Sequence, residues 1–134
     1  MEQKVQMDKN QKAELRDAKG LTEAEFIEIY KSKNYNRPYL TADIMVFDKD
    51  DKVLLIKRKG HPFIGQYALP GGFAEPTENI EGTAKRELEE ETGVTSAEVV
   101  PVKLYSEPGR DPRGWVVSQL FCAKLNEDVR VAAG

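Results

Sequence analysis

Three glutamates, Glu87, Glu90 and Glu91, stand at positions i, i+3 and i+4 of the segment Arg86-Glu87-Leu88-Glu89-Glu90-Glu91-Thr92-Gly93-Val94. On a helix such residues share one face, and each like-charge pair there costs roughly a few tenths of a kcal/mol. Crowding of this kind makes chemical sense where divalent cations neutralise it, since hard ions such as Mg²⁺ take oxygen ligands and keep positions open for water and substrate phosphate. Taken alone, a glutamate-rich helix is a solvated face; Glu89, about 100° off the shared face, is expected to be solvated. Arg86, four residues before Glu90, is placed to hold a carboxylate in a bidentate fork. Gly71 and Gly72 lack a Cβ and so let the backbone approach an ion closely.

The elements that must position these groups follow from local pattern. Thr22-Glu23-Ala24-Glu25 has the spacing of a capping box, and Phe26, Ile27 and Tyr30 recur at helical intervals, which predicts a short packing helix over 22–32. Apolar runs at 40–47 and 53–58 flank Asp48-Lys49-Asp50-Asp51-Lys52, a hairpin pattern. A glycine- and proline-bearing loop over 59–66 leads to a short strand at Tyr67-Ala68-Leu69, which ends at Pro70-Gly71-Gly72. From Asn79 to Thr92 the pattern is helical, with Ile80, Ala84 and Leu88 along one face and Gly93 as a stop signal. Strands are expected over 99–105 and 115–125, joined by the turn-rich segment 107–114. Several strands with one strong central helix predict an α/β (α+β) fold.

The full spacing, Gly72-x5-Glu78-x7-Arg86-Glu87-Leu88-x-Glu90-Glu91-x-Gly93-Val94, resembles the Nudix box at every specified position, and the chain is similar to Nudix hydrolases from about Pro38 to Leu125. The resemblance implies a Nudix-type α/β/α sandwich with a mixed central sheet and a catalytic loop-helix. It implies that Glu87, Glu90 and Glu91, with the Gly71 carbonyl, bind the metal, Mg²⁺ or Mn²⁺ as a substitute. Glu78 and Arg86 resemble the pair that braces the loop against the helix, with Gly72 in support; Arg86, Glu87, Glu90 and Glu91 form the catalytic set. The family's reaction, hydrolysis of a nucleoside diphosphate linked to another moiety, needs no covalent nucleophile. That agrees with a chain holding one cysteine and one histidine.

Arg37-Pro38-Tyr39-Leu40-Thr41-Ala42-Asp43 and Gly109-Arg110-Asp111-Pro112-Arg113-Gly114 are similar to segments of the ADP-ribose pyrophosphatase branch. The second also resembles a loop of Nudix-related regulators that sense ADP-ribose. The expected reaction is therefore conversion of ADP-ribose to AMP and ribose 5-phosphate, against a sensing domain or a hydrolase of NADH, a nucleotide sugar or an oxidised nucleotide. Arg110 and Arg113 suit bidentate contact with phosphate or the terminal ribose, although a tight turn with solvated charges accounts for the same residues. Asp111 is placed to orient one of them. Arg58, in the basic run Lys57-Arg58-Lys59, is a further substrate-contact candidate beside the solvated reading usual for strand-end bases. Tyr39, Phe63, Tyr67 and Phe73 are candidates to stack on a base, each more often core; Phe73, beside the box, is carried forward as substrate-binding. His61 reads as a surface residue, Trp115 and Cys122 as core, and Glu107 as a loop acid and candidate general base.

Composition bounds the alternatives. The 134 residues suit one domain, expected as an N-terminal arm over 1–20, frayed or helical, and a Nudix domain over 21–134. Domains of the resembled family continue past the last strand seen here, so the C-terminal end is expected to be incomplete or unusually short. Cys122 alone excludes an internal disulfide framework, and no apolar run approaches the roughly 20 residues of a membrane span. The N-terminus has no signal-peptide apolar region, which gives a cytoplasmic expectation. A pI near 5.3 argues against bulk binding to nucleic acid. The expected partner is a small nucleoside diphosphate substrate, and the family resemblance makes a homodimer through the arm an expectation too. The net charge of −3 is unevenly spread. Residues 75–91 hold seven glutamates against Lys85 and Arg86, and the rest of the chain has 16 acids against 18 bases.

Overall fold

The computed structural model describes residues 15–95 and 97–125. Most of the expected arm, and the tail after Leu125, lie outside the described residues. The chain divides into two compact units, Met1–Asn36 and Arg37–Gly134, so the helix expected within the larger domain belongs to the smaller unit.

In that unit Thr22 caps helix α1 (Glu23–Ser32). The Glu25 amide donates to the Thr22 hydroxyl at 3.2 Å, and the Thr22 amide donates to the Glu25 carboxylate at 3.0 Å, the reciprocal pair that the spacing predicts. The packing role expected of α1 is not met: none of its residues is buried, and Phe26 remains half exposed. Its aromatic residues meet neighbouring rings instead, Phe26 with Tyr30, and Tyr30 with Tyr35 just beyond the helix.

The second unit is organised by β1 (Tyr39–Phe47). Alternation sends Ala42, Ile44 and Val46, all buried, to one face of the sheet and Thr41, Asp43 and Met45 to the other. Beside it run β4 (Gly71–Phe73), antiparallel, and β6 (Val116–Lys124), parallel; β5 (Val100–Tyr105) closes the mixed sheet in the order β4-β1-β6-β5. A separate two-stranded sheet joins β2 (Ile56–Lys57) to β3 (Tyr67–Ala68).

Helix α2 (Ile80–Thr92) starts where the Asn79 side chain accepts the Gly82 amide at 2.7 Å. It stops at Gly93, whose φ of 76° favours glycine and whose amide bonds the Glu89 carbonyl at 2.7 Å. Ala84 and Leu88 are buried in one cluster with Ala42, Ile44, Val46 and Phe121, and Ile80 packs against its margin. This apolar seam fixes α2 on one face of the sheet and so fixes the direction of its glutamates.

Three local expectations change. The hairpin turn forms, with the Asp50 and Lys52 amides donating to Asp48 Oδ1 at 2.8 and 2.9 Å. Its second strand, however, shrinks to the two residues of β2. Among the described residues the returning chain pairs with β1 by backbone only at the Leu54 amide and the Phe47–Val53 bridge, because β4 and Pro70 already bond that edge of β1 at Thr41, Ala42, Asp43 and Ile44. Trp115, expected in the core, is 50% exposed, since it precedes β6 and contributes its carbonyl to the Tyr39 amide. Tyr39, Phe63, Tyr67 and Phe73 are all exposed as well, so none is core. Cys122 is partly buried.

Leu88→Ala should lower stability by about 2–5 kcal/mol in urea denaturation, the usual range for emptying a buried leucine site. Glu89→Ala, on the exposed side of the same turn, should change it by less than about 0.5 kcal/mol.

Candidate functional site

Arg86 gathers the charged groups. Its Nε and Nη2 donate to the two carboxylate oxygens of Glu78 at 3.0 and 2.8 Å, and Nη2 also reaches the Phe73 carbonyl at 3.0 Å. Nη1 meets Glu87 at 2.9 Å and Glu90 at 3.4 Å. The fork thus closes on Glu78, in agreement with the brace implied by the family resemblance, and not on Glu90 as the four-residue spacing suggested. Glu78 wins because it folds back just before the helix, where Oε1 also accepts the Thr83 hydroxyl at 2.7 Å and the Glu75 amide at 2.9 Å. Hydrogen bonds from Arg86, then Thr83, then the Glu75 amide hold the Glu78 carboxyl down at about 2. Glu78 in turn raises the Arg86 pKa and keeps the guanidinium charged.

The remaining carboxylates are pushed the other way. Burial, then the Glu90 charge, raises the Glu87 pKa, with Arg86 opposing. Glu91 is pushed up to about 7, first by burial, against the opposing Gly71 amide, and then by the charges of Glu87 and Glu90. Glu91 Oε2 is buried with no hydrogen-bond partner. No basic residue lies in the last turn of α2, so the carbonyl ends of the helix add to the repulsion.

The two glycines are required by contacts on opposite sides of β4. A Cβ at Gly72 would collide with the Glu87 carboxylate, standing 2.7 Å from its carbon; one at Gly71 would collide first with the Ala42 backbone carbonyl and would also stand 2.7 Å from Asp43 Oδ1. Among the described residues no three His, Cys, Asp or Glu side chains converge as a ready metal cage; Arg86 lies against Glu87 and Glu90 instead. The donor chemistry nonetheless fits a hard cation. Glu91 offers a buried oxygen with no donor, and the glycines leave backbone open beside it.

A cavity of about 480 Å³ adjoins this site, with Gly71 and Gly72 in its wall. It brings together all four residues expected to contact substrate, Arg58, Phe73, Arg110 and Arg113. They are not equally available. Arg58 donates from Nε to the Pro62 carbonyl at 2.6 Å. Arg113 forks Asp111 at 3.0 and 2.7 Å and stacks on the Phe73 ring at 4.7 Å. That fork holds the Asp111 carboxyl at about 2, the Arg113 side chain being the main cause. Arg110 donates to Ser118 Oγ at 3.0 Å and to the Val116 carbonyl at 3.3 Å. Lys57, Lys59, His61 and Glu107 are exposed, and none is among the residues described in the cavity wall.

Sequence reasoning missed the cavity's floor, Thr41, Asp43 and Ser118. Thr41 and Ser118 are cross-strand partners joined by their hydroxyls, and burial raises the Asp43 pKa against the charges of Arg110 and Arg113. The signal was present as period-two alternation, which puts Thr41 and Asp43 opposite the apolar face of β1.

The NUDIX domain model matches residues 37–132. The chain belongs to the NUDIX family. It is 45% identical over 94 residues to an ADP-ribose pyrophosphatase of Methanocaldococcus jannaschii, covering 70% of this chain and 55% of that one. It is 36% identical over 110 residues to an ADPR-responsive transcriptional repressor of Acinetobacter baylyi, covering 78% and 44%. Among solved structures, the NUDIX domain of Shewanella oneidensis NrtR complexed with ADP ribose superposes with a TM-score of 0.75 at 33% identity, covering 85% of this chain and 78% of that one. The chain spans about half the length of these two curated relatives. Among the described residues no helix is long and apolar enough to cross a membrane.

The raised Glu91 pKa has a consequence for stability. Because the folded value lies above the ordinary glutamate value of 4.5, ionised Glu91 burdens the folded state at high pH, and the burden lifts as pH falls through about 7. In metal-free buffer Glu91→Gln should therefore be more stable than the parent by about 1–3 kcal/mol at pH 8, a difference that bound Mg²⁺ removes by neutralising the parent's carboxylate. Without metal the gap should shrink severalfold by pH 5 in urea titrations of both proteins; a gap independent of pH would contradict the shift.

Proposed function

We propose that this NUDIX chain is a Mg²⁺-dependent hydrolase of nucleoside diphosphate derivatives, with ADP-ribose cleaved to AMP and ribose 5-phosphate. The observation that carries the reading is the buried, donor-free Glu91 oxygen near Gly71, a residue that also lines the arginine-bearing cavity. Glu87, Glu90, Glu91 and the Gly71 carbonyl would hold the cation, Mg²⁺ or Mn²⁺. When bound, it neutralises diphosphate charge and lowers the pKa of a water ligand.

The chain's own residues supply the rest. The Glu78–Arg86 brace aims Glu87 and Glu90, and Arg86 keeps Phe73 tied to the helix through its carbonyl. A carboxylate of the cluster would accept the proton of the attacking water, and Glu91, whose Oε2 is buried without a donor, is the one tested below. The water oxygen joins one phosphorus, the bridging P–O bond breaks, and the leaving phosphate takes the displaced electron pair. Arg110 has donors left to meet phosphate oxygens beyond those it gives to Ser118 and Val116. The homodimer expected from the resemblance, formed through the N-terminal arm, belongs to this proposal. A 15 kDa species alone in light scattering would count against it.

A second reading, an ADP-ribose-sensing domain, is favoured by the likeness to the repressor and to the ADP-ribose-bound NUDIX domain. Product analysis with ADP-ribose and Mg²⁺ separates the two. The hydrolase releases AMP, and Glu91→Gln lowers kcat about 100-fold or more with KM within a few-fold and melting behaviour intact. Binding of ADP-ribose with no AMP released would establish the sensor, and undiminished turnover in Glu91→Gln would sink the assignment of Glu91.

A further inference from the structure

Asp43 lies in β1 between two fully buried residues, Ala42 and Ile44, and on the opposite face of the sheet. Its carboxylate stands in the cavity wall, where Arg110, Arg113 and Asp111 are the charges that act on it. Both arginines have other partners. Arg113 spends Nε and Nη2 on Asp111 and lays its plane over Phe73. Arg110 gives Nη1 to Ser118 and the Val116 carbonyl, and its guanidinium lies 6.0 Å from the Tyr105 ring. No described residue donates a hydrogen bond to the Asp43 carboxylate. A carboxylate held partly out of water without donors is costly, and a strand so apolar on its other face has no packing use for it.

The place of this carboxylate is constrained. Asp43 pairs across the strands with Gly71, and a Cβ at Gly71 would stand 2.7 Å from Asp43 Oδ1. The acid therefore leans over the glycine whose carbonyl the proposed function gives to the cation that neutralises the diphosphate. A group bound by Asp43 lies beside that end of the ligand.

What it binds follows from its donor deficit. An ionised carboxylate only accepts, and its two oxygens are spaced to take two O–H donors at once. A cation is disfavoured because two guanidiniums already face the same space. Vicinal hydroxyls are neutral, donate twice, and are carried by a sugar attached to a diphosphate; charge-assisted bonds of this kind are the strong ones.

We propose that Asp43 is a specificity-determining residue that recognises the vicinal diol of a sugar attached to the diphosphate. The inference rests on the reading that this site takes a nucleoside diphosphate derivative. ADP-ribose carries two such sugars, and the experiment distinguishes them.

Calorimetry in Mg²⁺ on Glu91→Gln, with and without Asp43→Asn, would compare ADP-ribose with two analogues. One lacks the 2-hydroxyl of the nucleoside ribose, the other the 2-hydroxyl of the terminal ribose. In the protein that keeps Asp43, one analogue should bind about 10- to 100-fold more weakly than ADP-ribose, and which one identifies the sugar. Asp43→Asn should weaken ADP-ribose by a similar factor and erase that gap. Absence of a gap in the Asp43 protein overturns the proposal, and this arm needs no Asp43 variant to fold. A gap that survives Asp43→Asn, or an equal loss for all three ligands, also overturns it. AMP release by the wild-type chain without any diol discrimination would sink this inference alone. No binding and no hydrolysis of ADP-ribose would sink the functional reading beneath it.

Discussion

The site depends on one cation of its own, Arg86. Segment 75–91 carries a net charge of −5, and its three clustered glutamates sit toward the end of a helix where the backbone dipole is also unfavourable. A single guanidinium meets Glu78, Glu87, Glu90 and the Phe73 carbonyl. Only a planar group with five donors can serve so many acceptors; a lysine in its place would be a point charge with three donors. The link to Phe73 ties strand β4 to helix α2, and the link to Glu78 ties the intervening loop to both. Asn79 then caps the helix in the register this fork needs.

Given that tie, the thinness of β4 decides what can meet across it. Successive strand residues point to opposite faces, so Gly71 and Gly72 clear space in opposite directions. Gly72 admits the Glu87 carboxylate from the helix side, and Gly71 admits Asp43 from the cavity side. Two adjacent glycines therefore make a wall of bare backbone between an acidic face and an arginine-lined pocket. A Cβ at either position closes one of the two approaches.

How much of this was legible in the chain depended on whether the information was local. The cap of α1 and the stop of α2 were, because Thr22 with Glu25, and Gly93, act within a turn of themselves. The helix face of Ile80, Ala84 and Leu88 was legible for the same reason. The second strand of the hairpin was not. Its alternation was sound, but the partner edge on β1 went to β4, a competition that no window of a dozen residues contains. Arg86 shows the same division: the i, i+4 rule pointed to Glu90, whereas the better-furnished acceptor, Glu78, is brought back by the loop. The aromatic residues were misplaced because Tyr39 and Trp115 stand at strand ends, where composition alone cannot separate a core residue from a rim. Asp43 was overlooked because an acid within an apolar run was read as part of the segment, when its alternation phase already assigned it to the other face.

The contrast between Glu78 and Glu91 shows how one residue type serves two ends of the same site. Thirteen positions apart on one loop-helix, their carboxyls stand at about 2 and about 7. The difference is donors. Glu78 receives four, from Arg86 twice, Thr83 and the Glu75 amide, so its charge is fully used in holding the fold and has nothing left for a substrate. Glu91 is buried beside two other carboxylates, and one of its oxygens has no partner, so its charge stays available at the cost of stability. Environments that drive paired titratable groups apart in this way mark the division between support and chemistry. Here that division runs along α2 itself. Donors gather on Glu78 just ahead of its N-terminus, and in its last turn one Glu91 oxygen stays buried without any.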